Sequence, residues 1–122
     1  MQTELYAPAL WYRVTSEAKD AICNGCGAAN AKFDFVPDTL WGLSITEACR
    51  RHDFMYYFGE TIEDKAEADR VFLNNMLRLV EADNTWLGRI LKMFRRRRAL
   101  EYYECVTAFG GPAYWADKNE PI

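Results

Sequence analysis

The chain has 122 residues, a formal net charge of -3 from 15 basic and 18 acidic side chains, and is 50% hydrophobic and 15% aromatic. That length suits one domain, the usual range being roughly 100–200 residues, and the apolar content excludes a disordered chain. The mild acidity argues against a protein built to neutralise nucleic-acid phosphates, no apolar run approaches the ~20 residues of a membrane span, and Met1-Gln2-Thr3-Glu4 does not read as a secretory signal.

Thr15 or Ser16 is placed to cap a short helix over residues 16–22, which Cys23-Asn24-Gly25 ends. Residues 23–43 read as one long loop rich in Gly, Ala, Asp and Asn, and loops of that length inside a compact domain are usually functional. A second helix starts near Ser44 or Thr46 and runs to about Phe58, with Glu47 in its first turn and Gly59 at its end. A third runs from about Glu63 to Val80. Its apolar positions Ala66, Ala68, Val71, Phe72, Met76, Leu77 and Leu79 recur at near-helical spacing, and its acidic start suits a helix N-terminus. About four residues join the two helices, so they are antiparallel neighbours.

A last helical stretch covers about Leu87 to Thr107. Trp86, Leu87, Ile90, Leu91 and Phe94 form an apolar stripe on it that reads as core, as do Phe54, Phe58, Val71, Phe72 and Met76 elsewhere. Arg95–Arg98, preceded by Lys92, span a full turn, so one or two arginines must face inward or the helix bends there; the run reads as a solvated, partly ion-paired turn, with anionic lipid headgroups as the functional alternative. Phe109–Ile122 reads as a loop-like tail. The expectation is a mainly α chain forming a single domain, 1–122.

The only histidine, His52, lies about seven residues before the end of the second helix, roughly 10 Å at 1.5 Å per residue. Asp69 lies about six residues into the third helix, roughly 9 Å. The two are therefore level across the helix pair. A carboxylate there accepts the imidazole N–H, fixes its tautomer and leaves the other nitrogen basic. Tyr56, at i+4 from His52, reaches the same carboxylate. Asp53 points about 100° away around the helix and is free for another task, such as holding a hard cation that needs oxygen ligands. The segment Asn24-Gly25-Cys26-Gly27-Ala28-Ala29 offers backbone carbonyls for the remaining ligands. The four cysteines, Cys23, Cys26, Cys49 and Cys105, allow three full pairings that spacing alone does not choose between, and free thiols or metal thiolates are expected instead in a reducing compartment.

Cys49-x-x-His52-Asp53-x-x-Tyr56 resembles the C-x-x-H-D-x-x-Y helix of secreted phospholipases A2. Gly25-Cys26-Gly27-Ala28-Ala29 is similar to that family's calcium loop, with Ala29 where the family usually has Gly, and Ala68-Asp69-Arg70-Val71-Phe72 resembles the second helix of its prokaryotic branch. The likeness covers about residues 23–76, in order. It implies a phospholipase A2-like fold of two antiparallel catalytic helices and a calcium-binding loop. It implies His52 as general base, Asp69 orienting it and Tyr56 supporting Asp69, with calcium held by Asp53 and the carbonyls of Gly25, Gly27 and Ala29. The reaction implied is hydrolysis of the sn-2 ester at a phospholipid membrane surface, with a secreted or virion-associated address; without the resemblance the address reads as cytoplasmic, and the charge balance leaves no nucleic-acid partner expected. It also implies a Cys26–Cys49 disulfide, leaving Cys23 and Cys105 for a second pair.

Two other readings compete. Cys23-x-x-Cys26 followed by Cys49-x-x-His52 has the ligand count of a structural zinc site, with His52 a ligand rather than a base. A phospholipase-like scaffold without activity is the other.

Overall fold

The computed structural model describes residues 4–23 and 37–115, and the chain is mainly helical over them. A short 3-10 helix, Ala9–Arg13, precedes α1 (Ser16–Ile22). A two-stranded antiparallel hairpin, β1 (Thr39–Leu40) and β2 (Leu43–Ser44), leads into α2 (Thr46–Phe58), α3 (Ile62–Ala82), α4 (Trp86–Phe109) and α5 (Gly111–Trp115).

The helix starts follow capping chemistry. The Thr15 side chain accepts from the Ala18 N–H, as expected, and α1 has the limits predicted for it. Before α3, the Thr61 side chain accepts from the Asp64 N–H at 3.0 Å while the Asp64 carboxylate accepts from the Thr61 N–H at 3.2 Å, a reciprocal box that satisfies two orphan donors. Thr85 caps α4 through the Gly88 N–H. The α2–α3 connection, Gly59-Glu60-Thr61, is short enough to fold the two helices back to back.

The core is the seam between α2, α3 and α4, closed at one end by the hairpin. Leu40, Ile45, Ala48, Phe72, Met76, Val80, Ala99, Val106 and Tyr114 are buried there. Asn75, fully buried on α3, clamps the N-terminal segment with a pair of bonds to the Tyr6 backbone, accepting at 2.8 Å and donating at 3.0 Å. A second cluster joins Trp11 to Phe54, edge to face at 5.1 Å.

Four expectations need correction. Residues 39–44 are a hairpin rather than loop. Trp41 (φ 46°) and Gly42 (φ 81°) both adopt left-handed backbone, which a two-residue hairpin turn of the right twist requires, and Trp41 hides that signal because only Gly adopts such a backbone cheaply. The tail contains α5, whose Tyr114 is 1% exposed, stands edge to face on Tyr56 and donates to the Thr61 carbonyl at 2.6 Å. The α4 stripe is not core. Trp86, Leu87, Ile90 and Phe94 are exposed, while the line Gly88, Arg95, Ala99, Tyr102 and Val106 faces inward. Phe58, expected in the core, is likewise exposed, because it sits on the outer side of its helix.

Candidate active site

Two helices deliver the central pair. α2 carries His52 and Tyr56 one turn apart, and α3 carries Asp69 opposite them. His52 Nε2 and Asp69 Oδ1 are 2.8 Å apart, and the Tyr56 hydroxyl donates to the same oxygen at 2.6 Å. All three residues are buried, His52 at 3% and Asp69 at 1% exposure. The imidazole is stacked on Phe72, with ring centroids at 4.5 Å, and tilted against Tyr56 at 4.2 Å. The apolar walls fix its plane, and the carboxylate fixes its rotation about that plane.

Asp69 has a partner that sequence reasoning missed. Lys65, one turn earlier on α3, donates to Asp69 Oδ2 at 2.8 Å and to the Val106 carbonyl of α4 at 3.1 Å. The signal was there in the i, i+4 spacing of Lys65 and Asp69, but a surface ion pair is the ordinary meaning of that spacing. Only the packing of α4 over α3 takes the pair inside, to 14% exposure for the lysine side chain.

The electrostatics follow. Burial opposes ionisation of Asp69, yet the bonds and charges of His52, Lys65 and Tyr56 outweigh it and hold its carboxyl below the usual range. Burial is the largest influence on His52 and lowers its pKa; the Lys65 ammonium adds to that, and Asp69 opposes it. The arrangement at neutral pH is a neutral imidazole beside an ionised carboxylate. With its proton on Nε2, toward Asp69, the ring's basic nitrogen is Nδ1. Burial, followed by the Asp69 charge, pushes the Tyr56 hydroxyl far up, so it stays protonated and donates to Asp69.

Asp53 follows His52 on α2 and is half-buried on a different side of the helix. The Cys23 thiol donates to the Arg50 carbonyl at 3.1 Å, and the Asp53 charge acts on that thiol, so the chain leaves α1 beside the stretch of α2 that carries Asp53. Arg50 reinforces the junction with an ion pair to Asp20 of α1 at 2.8 Å. Asp53 is one carboxylate of the oxygen-donor set that a calcium ion needs. Gly25, Gly27 and Ala29 themselves lie outside the described residues, as does Cys26. Among the described residues no group of three or more His, Cys, Asp or Glu side chains is gathered to hold a metal.

The cysteines depart from one expectation. Cys23 and Cys105 are free thiols, so they do not form a second pair. Cys23 is anchored by its bond to α2, and Cys105 lies on α4. Burial first, then the Asp53 charge, push the Cys23 thiol up to about 11, which keeps it protonated. Cys49 is disulfide-bonded. A concavity lined by Glu4, Asn74, Leu77, Arg78, Glu81 and Ala82 lies along α3 and shares no residue with the pair.

Comparison of the chain with known protein families, with curated proteins and with solved structures finds no match.

Proposed function

We propose that the protein is a calcium-dependent hydrolase of the phospholipase A2 type that cleaves the sn-2 ester of glycerophospholipids. The observation that carries this reading is the buried His52–Asp69 pair, at 2.8 Å, held between two antiparallel helices with Tyr56 on the same carboxylate oxygen. Histidine–aspartate pairs of this kind hold an imidazole as a neutral, oriented base. The motif order along the chain supports the assignment of substrate class.

In this mechanism Nδ1 of His52 takes a proton from a water molecule. The water oxygen forms a bond to the sn-2 carbonyl carbon. Asp69 stabilises the imidazolium that results and does not itself take the proton. As the tetrahedral species collapses, the bond from the carbonyl carbon to the glycerol oxygen breaks, and His52 returns its proton to that oxygen. Asp53 and the carbonyls of Gly25, Gly27 and Ala29 would hold calcium, which supplies charge stabilisation for the carbonyl oxygen. A disulfide between Cys26 and Cys49 belongs to the same reading and would tie the loop to α2.

The zinc-module reading has less support. It needs Cys49 as a thiolate, and Cys49 is disulfide-bonded.

Incubation of the protein with phosphatidylcholine vesicles should release lysolipid and fatty acid in calcium, and a chelator should abolish it. His52→Gln and Asp69→Asn should each lower the rate about 10²- to 10⁴-fold, with circular dichroism unchanged. Absence of lysolipid in calcium with a folded chain rejects the enzyme and leaves the inactive scaffold.

A further inference from the structure

α4 turns two unlike faces outward and inward along its first half. Gly88, Arg95 and Ala99 point to the core. On the opposite side Trp86, Ile90 and Met93 are 77%, 52% and 71% exposed, and they recur at helical spacing. Exposed apolar side chains scattered singly are ordinary, but a contiguous row on one helix is not. Residues 86–98 also hold six basic side chains (Arg89, Lys92 and Arg95–Arg98) and not one acidic residue. Arg89 is exposed beside the apolar row, and the Arg97 side chain, 85% exposed, stands at its far end.

We propose that this side of α4 is a docking face for an anionic phospholipid surface, with Trp86, Ile90 and Met93 entering the headgroup boundary and Arg89 and Arg97 meeting the lipid charge. A helix that lies in a membrane interface has this composition: apolar and aromatic residues on one face with arginine or lysine alongside. Each basic residue near an anionic bilayer adds attraction, and a Trp ring suits the headgroup level. The face is the outermost, convex side of a helix, which fits a yielding flat surface. A second copy of the chain would bring the same face, and so the same arginines, against each other. Past Arg98 the outer side of α4 turns acidic at Glu101 and Glu104, so the face ends there.

The face is separate from the candidate active site. Val106, whose carbonyl bonds Lys65 beside Asp69, is thirteen residues from Met93, about 20 Å along the helix axis. Docking therefore uses none of His52, Asp69 or Asp53 and stands whether or not the chain hydrolyses lipid.

The test is co-sedimentation of the full chain with vesicles of phosphatidylglycerol and, separately, of phosphatidylcholine, in chelator so that no turnover interferes. Binding to phosphatidylglycerol should exceed binding to phosphatidylcholine and weaken as salt is raised. Ile90→Ser with Met93→Ser should lower the partition about tenfold, and so should Arg89→Glu with Arg97→Glu. All four positions are exposed, so circular dichroism should stay unchanged. The single Met93→Ser change, with a smaller loss, serves if the double variant misfolds. No binding to phosphatidylglycerol, or variants that bind like the parent, overturns the proposal. So does a concentration-dependent dimer that the Ile90→Ser, Met93→Ser variant abolishes, since that assigns the face to a second copy.

Discussion

Asp69 receives three side chains on two oxygens, and they differ in what they do. His52 and Tyr56 share Oδ1, while Lys65 alone holds Oδ2 and reaches on to α4. Removing the Tyr56 hydroxyl with Tyr56→Phe leaves Asp69 paired and ionised; the expected loss of stability is about 1 kcal/mol. Lys65→Met strands Oδ2 of Asp69, while the Val106 carbonyl keeps the Gly110 N–H at 2.9 Å, at a cost of about 1–3 kcal/mol by chemical denaturation. It also removes a positive charge near the imidazole, so the His52 pKa should rise. His52 is the only histidine, and its ring protons can be followed through a pH titration by NMR without assignment. A His52 pKa that falls or stays fixed in Lys65→Met would show that the ammonium does not act on the ring.

Gly59 shows why an element ends where it does. Its backbone is ordinary extended chain, so no left-handed cap is formed, but a Cβ there would lie 2.5 Å from the Tyr114 hydroxyl. α5 packs over the α2–α3 turn and leaves room for glycine alone. Gly59→Ala should destabilise the fold by about 1–3 kcal/mol through overpacking, read as a lower denaturation midpoint, even though alanine is the better helix former. α4 makes the same point with arginines. Arg95 is 3% exposed, pairs with Asp83 at 2.7 Å and donates to the Leu40 and Trp41 carbonyls at 3.2 and 3.1 Å, which ties the hairpin turn to the helix. Its neighbour Arg96 meets Glu81 on the surface. Arg95→Met should cost about 2–4 kcal/mol because the buried Leu40 carbonyl, the part-buried Trp41 carbonyl and the Asp83 carboxylate all lose this donor. Arg96→Met should stay within about 0.5 kcal/mol. Equal losses in the two variants would contradict the buried role of Arg95.

At the scale of the whole molecule, burial of one charged network governs the response to acid. His52 has a pKa below its ordinary 6.5 in the fold, so the unfolded chain binds the proton first as pH falls, and stability declines below about 6.5 until the folded ring titrates too. Asp69 is also held below its ordinary 3.8; its stabilisation is present above that value and is lost as pH falls further. Thermal midpoints should therefore fall in two stages, beginning near pH 6.5 and again below about 4. The first stage should vanish in His52→Gln. A first stage that persists in that variant would place the acid sensitivity elsewhere.

The sequence by itself determined the helix pair and the residues that face each other across it. The short link after Phe58, the acidic start of the third helix and the 3.6-residue period place His52 level with Asp69, because all of these are local and a helix converts residue count directly into distance. Tertiary structure alone decided which side of α4 faces in. Periodicity marks the stripe from Trp86 to Phe94 as one face without saying whether it meets the core or the solvent. The close-packed seam with α3 took the small and long-reaching side chains of Gly88, Arg95 and Ala99 instead. The same holds for Lys65, Asn75 and Tyr114, whose partners lie 41, 69 and 53 residues away in sequence. Contacts across that span leave no periodic trace in the chain, and only folding brings the buried polar groups to the partners that satisfy them.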